Sequence, residues 1–213
     1  MKSKIKFIVI ILWIFLIQVE GFGQFRFGVC AGPVFTQVNG DNLSGFNKVG
    51  ISFGLLGGYK LNESNSIVID LGYQRLGSNR GAEKIPSDLN RILLETELST
   101  INILLGYQFH FGNRWDGKKF YTLKAGLNYH RIVKISNAIL TRNFSIEEEA
   151  IPEDQFSNQY LAVHVSLGRF LADRFAFSMG VDFGLSNLLI KPQYNIQNIA
   201  PYHLFGKFSY YIF

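Results

Sequence analysis

The feature that most constrains this chain is a period-two alternation of apolar residues with small or polar ones. It is clearest over residues 174–186, where Phe175, Phe177, Met179, Val181, Phe183 and Leu185 alternate with Arg174, Ala176, Ser178, Gly180, Asp182, Gly184 and Ser186. Successive side chains of a β-strand point to opposite faces, so the segment predicts a strand with one apolar face. The same alternation predicts seven further strands, near 25–37, 49–61, 66–76, 98–111, 119–133, 159–169 and 203–213.

The connections between these segments alternate strictly in length. Long ones at 38–48, 77–97, 134–158 and 187–202 are interleaved with short ones at 62–65, 112–118 and 170–173. Outer-membrane barrels place short turns on the periplasmic side and long loops outside. The sequence therefore predicts an all-β fold: a transmembrane, up-and-down antiparallel β-barrel of eight strands, with short periplasmic turns and long extracellular loops.

A soluble lipocalin-like barrel is the alternative, because it also has eight strands but turns its apolar face inward. Here the other face is rich in Gly, Ala and Ser, which suit a narrow lumen better than a solvated surface. Aromatic residues are also expected at both strand ends, as in the two interfacial belts of a membrane barrel. One belt comprises Phe25, Tyr59, Phe109, Phe111, Tyr121, Phe175 and Phe177, and the other comprises Phe35, Tyr73, Tyr129 and Phe183.

The first 23 residues have the pattern of a secretory signal peptide. Lys2, Lys4 and Lys6 precede an apolar run over 7–17, and small residues at Gly21 and Gly23 suit a cleavage site. An uncleaved anchor helix is the alternative, but 11 apolar residues are too few to span a bilayer. We therefore expect a cleaved signal at 1–23 and a barrel domain at 24–213.

Charge and cysteine content exclude some partners and some sources of stability. The signal segment holds three Lys and one Glu of the chain's 21 basic and 16 acidic residues, which leaves 18 against 15, a net charge of +3. This mild balance predicts no nucleic-acid partner. The single Cys30 predicts no internal disulfide.

Several short stretches resemble one known family. They are Gly28-Val29-Cys30-Ala31-Gly32, the loop residues 39–48, Gly50-Ile51-Ser52-Phe53-Gly54, and Leu71-Gly72-Tyr73-Gln74. In these the chain resembles the PorT-like outer-membrane β-barrel family, common in Bacteroidota. The resemblance implies the fold and an outer-membrane location. The founding member is tied to protein secretion, but no residue here carries that role over, and Asn102-Ile103-Leu104-Leu105 stands where members commonly have Pro-Leu-Leu.

Charged residues on the inner face need partners, because an eight-stranded lumen is just wide enough for side chains to fill. The polar lumen candidates are Asp70, His110, Lys124, His130, His164, Asp182 and Lys207. Buried charges are costly unless paired. Our hypothesis is that Asp70 and Asp182 pair with Lys124 and Lys207 in a charge network that plugs the lumen. The alternative is that these residues lie near a rim in water.

Other features of the sequence predict little chemistry. His164 and Ser166 share a strand face near His130, as a base and nucleophile would, but polar filling of the lumen is the favoured interpretation. We expect no catalytic site, no metal site and no cofactor. Glu147, Glu148, Glu149, Glu153 and Asp154 indicate a solvated acidic loop, and Leu89, Ile92, Leu93 and Leu94 have the spacing of a short helix. The apolar phase of the last strand predicts a bulge near Phe213 or a place for Phe213 at the periplasmic rim.

Two functions remain, with an enzyme as a third. The first is a non-enzymatic, structural or interaction barrel of the outer membrane, surrounded by lipid and holding other envelope proteins through its loops or rims. The second is a narrow transport or ligand-sensing barrel. A lipid- or peptide-hydrolysing barrel comes last. A salt-bridged lumen favours the first function, and an open, water-filled lumen favours the second.

Overall fold

The described residues of the computed structural model form one closed antiparallel barrel. They are residues 24–39, 46, 48–78, 93–113, 119–140, 155–188, 190 and 200–212. The strands are β1 (Phe25–Asn39), β2 (Lys48–Lys60), β3 (Asn65–Ser78), β4 (Leu93–Asn113), β5 (Lys119–Leu140), β6 (Gln159–Phe170), β7 (Phe175–Gly184) and β8 (Ala200–Tyr211). Each strand pairs with its sequence neighbours, and β8 pairs with β1. The predicted eight-stranded barrel is confirmed, while the predicted signal at 1–23 lies outside the described residues.

The barrel carries its apolar side chains outside and its polar ones inside. Val49 and Leu105 on the outer face are 61% and 60% exposed, whereas the inward Asn102 and Asp182 are 3% and 1% exposed. Soluble proteins rarely expose so continuous an apolar surface, and a barrel of this polarity is stable when lipid surrounds it. The fold is therefore that of a transmembrane barrel. Separately, the part of the chain that the structure describes contains no helix long and apolar enough to cross a membrane.

Aromatic rings pack in pairs across neighbouring strands at both ends of the apolar band. At the end with the short turns, the pairs and their ring-centroid distances are Phe25–Tyr59 at 5.0 Å, Phe111–Tyr121 at 5.5 Å and Phe175–Tyr210 at 5.0 Å. At the end with the long loops, Phe183–Tyr202 pack at 4.8 Å, while the Phe53–Tyr73 pair, at 5.1 Å, lies further inside the band. Such rings have an apolar body and a polar edge or hydroxyl, so they favour the two lipid–water interfaces.

The two short turns that the structure describes are closed by local hydrogen bonds. In the turn at 61–64 the Leu61 amide donates to the Asn65 carbonyl at 2.9 Å, and the Asn62 side-chain oxygen accepts from the Ser64 amide at 2.9 Å. An Asn that binds the backbone two residues on stabilises a tight turn. The turn at 171–174 is closed by the Leu171 amide, which donates to the Phe175 carbonyl at 2.8 Å.

The β4–β5 hairpin extends beyond the predicted strands into segments that the sequence suggested were loops. The register shifts by one residue, so that Ser99 pairs with Lys134 and Thr100 with Ile132, which leaves Val133 as a bulge. A bulge interrupts the period-two pattern, and this is why the pattern did not predict the rest of β5. Because Leu93 and Leu94 belong to β4, the helix prediction is wrong for them. The other residues of that helix, and the predicted acidic loop, lie outside the described residues.

The last strand is regular as far as Tyr211. Its pairing with β1 keeps one register from Asn39–Ala200 to Gly28–Tyr211, so the bulge expected near the end does not occur within β8. Lys207, Ser209 and Tyr211 therefore share the inward face. Phe213 lies outside the described residues.

A small ion network lies beyond the apolar band at the long-loop end. The Glu97 carboxylate accepts a hydrogen bond from the Arg75 guanidinium at 2.6 Å and one from the Lys48 ammonium at 3.3 Å. The hydrogen bond from Arg75, more than the charge of Lys48, holds the pKa of Glu97 below its usual value of 4.5. Glu97 is 38% exposed, so water screens much of this interaction.

A first prediction concerns the lipid-facing surface. Leu105→Arg places a charge at the middle of the apolar face of β4, and should lower the free energy of unfolding by about 2–4 kcal/mol. Leu171→Arg, in the turn at 171–174, should cost less than about 1 kcal/mol because the interface is wet. Urea titration of the barrel in lipid vesicles measures both, and equal costs at the two sites would contradict the proposed membrane position.

A second prediction concerns pH. Since folding lowers the pKa of Glu97, its ion network contributes stability above about pH 4.5, and this contribution is lost as the pH falls through the folded-state pKa. The difference in unfolding free energy between wild type and Glu97→Gln should therefore be constant near neutral pH and shrink on acidification. Glu63→Gln, in the exposed turn at 61–64, is the control, and a difference that grows on acidification would disprove the assignment.

Candidate functional site: the polar lumen

The middle of the lumen is organised around the Asp182 carboxylate on β7. His164 on β6 and His203 on β8 are the direct cross-strand neighbours of Asp182. The His164 Nδ1 atom lies 2.6 Å from Asp182 Oδ1, and the Asn128 amide on β5 donates to Oδ2 at 2.9 Å. Because a carboxylate can only accept, His164 Nδ1 carries the proton in this contact. We call Asp182, His164, His203, His130 and Asn128 the Asp182 cluster.

Two further imidazoles complete the cluster through electrostatic contacts. His203 Nε2 lies 3.0 Å from Asp182 Oδ2, at ion-pair distance but without the angle of a hydrogen bond. His130 Nε2 lies 4.0 Å from the same oxygen and stacks on the Tyr160 ring at 4.3 Å. Every one of these side chains is at least 96% buried. An isolated buried carboxylate would be very costly, so these donors and dipoles are what make Asp182 tolerable inside the barrel.

The cluster is continued by side-chain amides toward β4. The Asn102 amide donates to the Asn128 oxygen at 3.0 Å, which aligns Asn128 toward Asp182. Gly72 on β3 leaves the space that Asn102 occupies, since a Cβ at Gly72 would lie 2.5 Å from the Asn102 side-chain oxygen. The glycine therefore contributes to the position of the amide chain.

A second ion pair spans the lumen nearer the short-turn end. The Lys124 ammonium on β5 donates to the Asp70 carboxylate on β3 at 2.6 Å, and both side chains are largely buried. The two strands are not neighbours in the barrel, so the contact crosses the interior. The structure thus brings together one of the two charge pairs expected from the sequence.

The other expected pair does not form. Within the described residues, the ion-pair partners of Asp182 are histidines rather than Lys207. The Lys207 ammonium instead lies 4.6 Å from the centre of the Phe205 ring, in a cation–π contact. The physical reason is that His203 and His164 occupy the directly paired positions beside Asp182 on both neighbouring strands. Sequence reasoning missed His203, although it lies on the same face of β8 as Lys207.

An apolar cap fills the part of the lumen next to the Asp182 cluster. It is a group of buried side chains from several strands and from the segments before β6 and after β7, namely Val34, Val38, Leu76, Leu98, Ile135, Phe156, Tyr160, Ala162, Leu188 and Phe205. Leu98 and Leu188 are fully buried. The cap meets the cluster where the Phe205 ring stacks on His164 at 5.1 Å, so the two groups together fill the interior, as expected for so narrow a barrel.

One contact chain has the order of a hydrolytic triad, but its setting is that of packing. His164 bonds Asp182 through Nδ1 and lies 3.0 Å from Ser166 Oγ through Nε2. The cavity beside Ser166 measures about 20 Å³, which is room for a water molecule but not for an acyl substrate. The Ser66–His110 contact repeats the same 3.0 Å distance elsewhere in the lumen. A Ser–His contact of this length thus occurs at two places in the described lumen.

A third prediction tests the Asp182 cluster. Asp182→Ala leaves the His164 and Asn128 donors unpaired inside the lumen, and should lower the free energy of unfolding by at least about 3 kcal/mol. Glu63→Ala, in an exposed turn, should change it by less than about 0.5 kcal/mol. Urea unfolding in vesicles gives both numbers, and comparable losses in the two variants would show that the cluster is not structural.

Comparison with known proteins gives a limited picture. No family model matches the chain, and no curated protein does.

In the part of the chain that the structure describes, no group of three His, Cys, Asp or Glu residues could hold a metal ion.

Solved structures with a similar outline are small outer-membrane proteins. Ail, the attachment invasion locus protein of Yersinia pestis, crystallised with the heparin analogue sucrose octasulfate, is 12% identical over 89% of this chain and 99% of that one, with a TM-score of 0.49. Neisserial surface protein A is 12% identical over 87% of this chain and 96% of that one, with a TM-score of 0.46. OprG from Pseudomonas aeruginosa is 12% identical over 88% of this chain and 94% of that one, with a TM-score of 0.37. Because the identities are 12% and the TM-scores are below 0.5, the membrane assignment rests on the closure of the barrel and on its apolar exterior.

Proposed function

We propose that this protein is an integral outer-membrane barrel with a closed lumen, which serves as a non-enzymatic structural or interaction component of the cell envelope. The observation that carries the proposal is the filled interior. The apolar cap, the Asp182 cluster and the Asp70–Lys124 pair fill adjoining parts of the lumen. A barrel whose described interior is filled in this way has its loops, rims and outer surface available for its function.

The orientation follows from the strand connections. The short turns at 61–64 and 171–174 face the periplasm, and the Leu93 end of β4 and the Leu140 end of β5 project on the extracellular side. Among the described residues, β4 and β5 remain paired from Leu93–Leu140 down to the membrane, so regular structure continues beyond the apolar band here. It is a stable support for residues that contact another envelope protein.

The finer family proposal rests on the sequence resemblance. The stretches that resemble the PorT-like family map to facing positions of β1, β2 and β3, with Gly54 paired to Gly72 and Cys30 to Gly54. We include membership of that family in the proposal. The alternative, a narrow transport barrel, requires a continuous polar path, and nothing in the described lumen favours one.

A fourth prediction tests this function. The tagged barrel, extracted from its native membrane in mild detergent, should retain a stoichiometric protein partner. A variant in which residues 79–92 or 141–154 are replaced by a Gly/Ser linker of equal length should lose it, because these residues belong to the two long connections β3–β4 and β5–β6 on the extracellular side. The same preparation of wild type, in planar bilayers, should show no steady channel conductance.

Either of two outcomes would contradict the proposal. A barrel that purifies alone from its native membrane, with or without conductance, would rule out a stable interaction role. A steady conductance that Asp182→Ala alters would instead support transport through the lumen.

A further inference from the structure

Two cations lie inside the periplasmic mouth of the lumen, and the described residues provide neither with a counter-ion. Arg26 on β1 pairs directly with Gly58 on β2, and Lys60 is two residues further along β2 on the same inward face. The Arg26 guanidinium lies 5.6 Å from the centre of the Phe170 ring. Among the described residues, neither cation has an ion-pair partner or a hydrogen-bond acceptor, unlike Lys124, which bonds Asp70 at 2.6 Å.

These cations border a small polar cavity. Its lining includes Arg26, Lys60, Ser66, Gln108, Lys124 and Tyr211, and its volume is about 20 Å³, the size of one water molecule or one oxygen-bearing group. The carboxylate in the lining, Asp70, is already engaged by Lys124. Within the part of the chain that the structure describes, the two positive charges of Arg26 and Lys60 therefore remain uncompensated around a cavity whose other polar members include hydrogen-bond donors.

We propose that this cavity, the Arg26–Lys60 pocket, binds an oxyanion, namely a phosphate or carboxylate group that inserts one oxygen between the two cations. Like charges held together in a partly desolvated site repel each other, and an anion between them converts that repulsion into attraction. The guanidinium of Arg26, 5.6 Å from the centre of the Phe170 ring, offers charged N–H donors to that oxygen. The inserted group can belong to inorganic phosphate or to a phospholipid headgroup of the periplasmic leaflet.

Gly58 provides a way to close the pocket without changing its charge. A Cβ at Gly58 would meet Val68 Cγ1 at 3.7 Å, the Ile67 carbonyl oxygen at 3.8 Å and Arg26 Cβ at 3.9 Å, all ordinary contacts. A larger side chain can therefore enter the cavity from this position while the backbone stays in place. Gly58→Leu fills the pocket, and Arg26→Gln/Lys60→Gln removes its charge.

The test is calorimetric titration of the purified full-length barrel in a phosphate-free maltoside detergent. Two titrants are used, inorganic phosphate and dihexanoyl phosphatidylglycerol. Wild type should bind saturably, and both R26Q/K60Q and G58L should raise the Kd at least tenfold. The matched control is K119Q/R169Q, which removes two cations from the same end of the barrel outside the pocket and should leave the Kd within twofold.

The outcomes separate the proposal from its alternatives. Tighter binding of the lipid than of phosphate identifies a headgroup as the source, and equal binding identifies the free anion, so both support the site. No saturable binding by wild type overturns the proposal. So does unchanged affinity in R26Q/K60Q, or an equal loss in K119Q/R169Q, which would show that only the net charge of this end attracts the anion.

Discussion

The hydrogen-bonding needs of the backbone in lipid decide the rest of this structure. A peptide group left unpaired in hydrocarbon costs several kcal/mol, so a sheet that crosses a membrane must have no free edge. The pairing of β8 with β1 removes that edge. Eight strands closed in this way give a lumen only as wide as the side chains that fill it. The number of strands therefore determines the width of the interior, whichever side chains point inward.

The narrow lumen in turn decides how its charges are held. Asp182 is accommodated because partners reach it from both neighbouring strands and from Asn128 on β5. Asp70 is accommodated by Lys124 from across the interior. Replacing one member of the Asp70–Lys124 pair with an apolar residue would leave the other charge buried and unpaired. The free energy lost in that way exceeds the net stability that the intact pair contributes. Closure of the lumen thus requires that these two carboxylates be paired inside it.

Charge is distributed unevenly along the barrel axis. The carboxylate at the centre is surrounded by imidazoles and amides, whereas Arg26 and Lys60 at the periplasmic mouth have no counter-ion among the described residues. The centre therefore has the character of a structural core, and the mouth has the character of a binding site. This difference is what separates the Asp182 cluster, which we assign to stability, from the Arg26–Lys60 pocket, which we assign to an anion.

The sequence by itself determined the strands, the inward and outward faces and the barrel class. Alternation is a local property, since each side chain's face depends only on its position in the strand. The alternation did not predict the full length of β4 and β5. A bulge at Val133 interrupts the period of two, and the two strands continue to pair beyond it. Only the tertiary structure decided the partners of the inward charges. Asp182 faces His164 and His203 rather than Lys207 because strand register and barrel closure, which no single segment encodes, bring residues distant in the chain to the same level of the lumen.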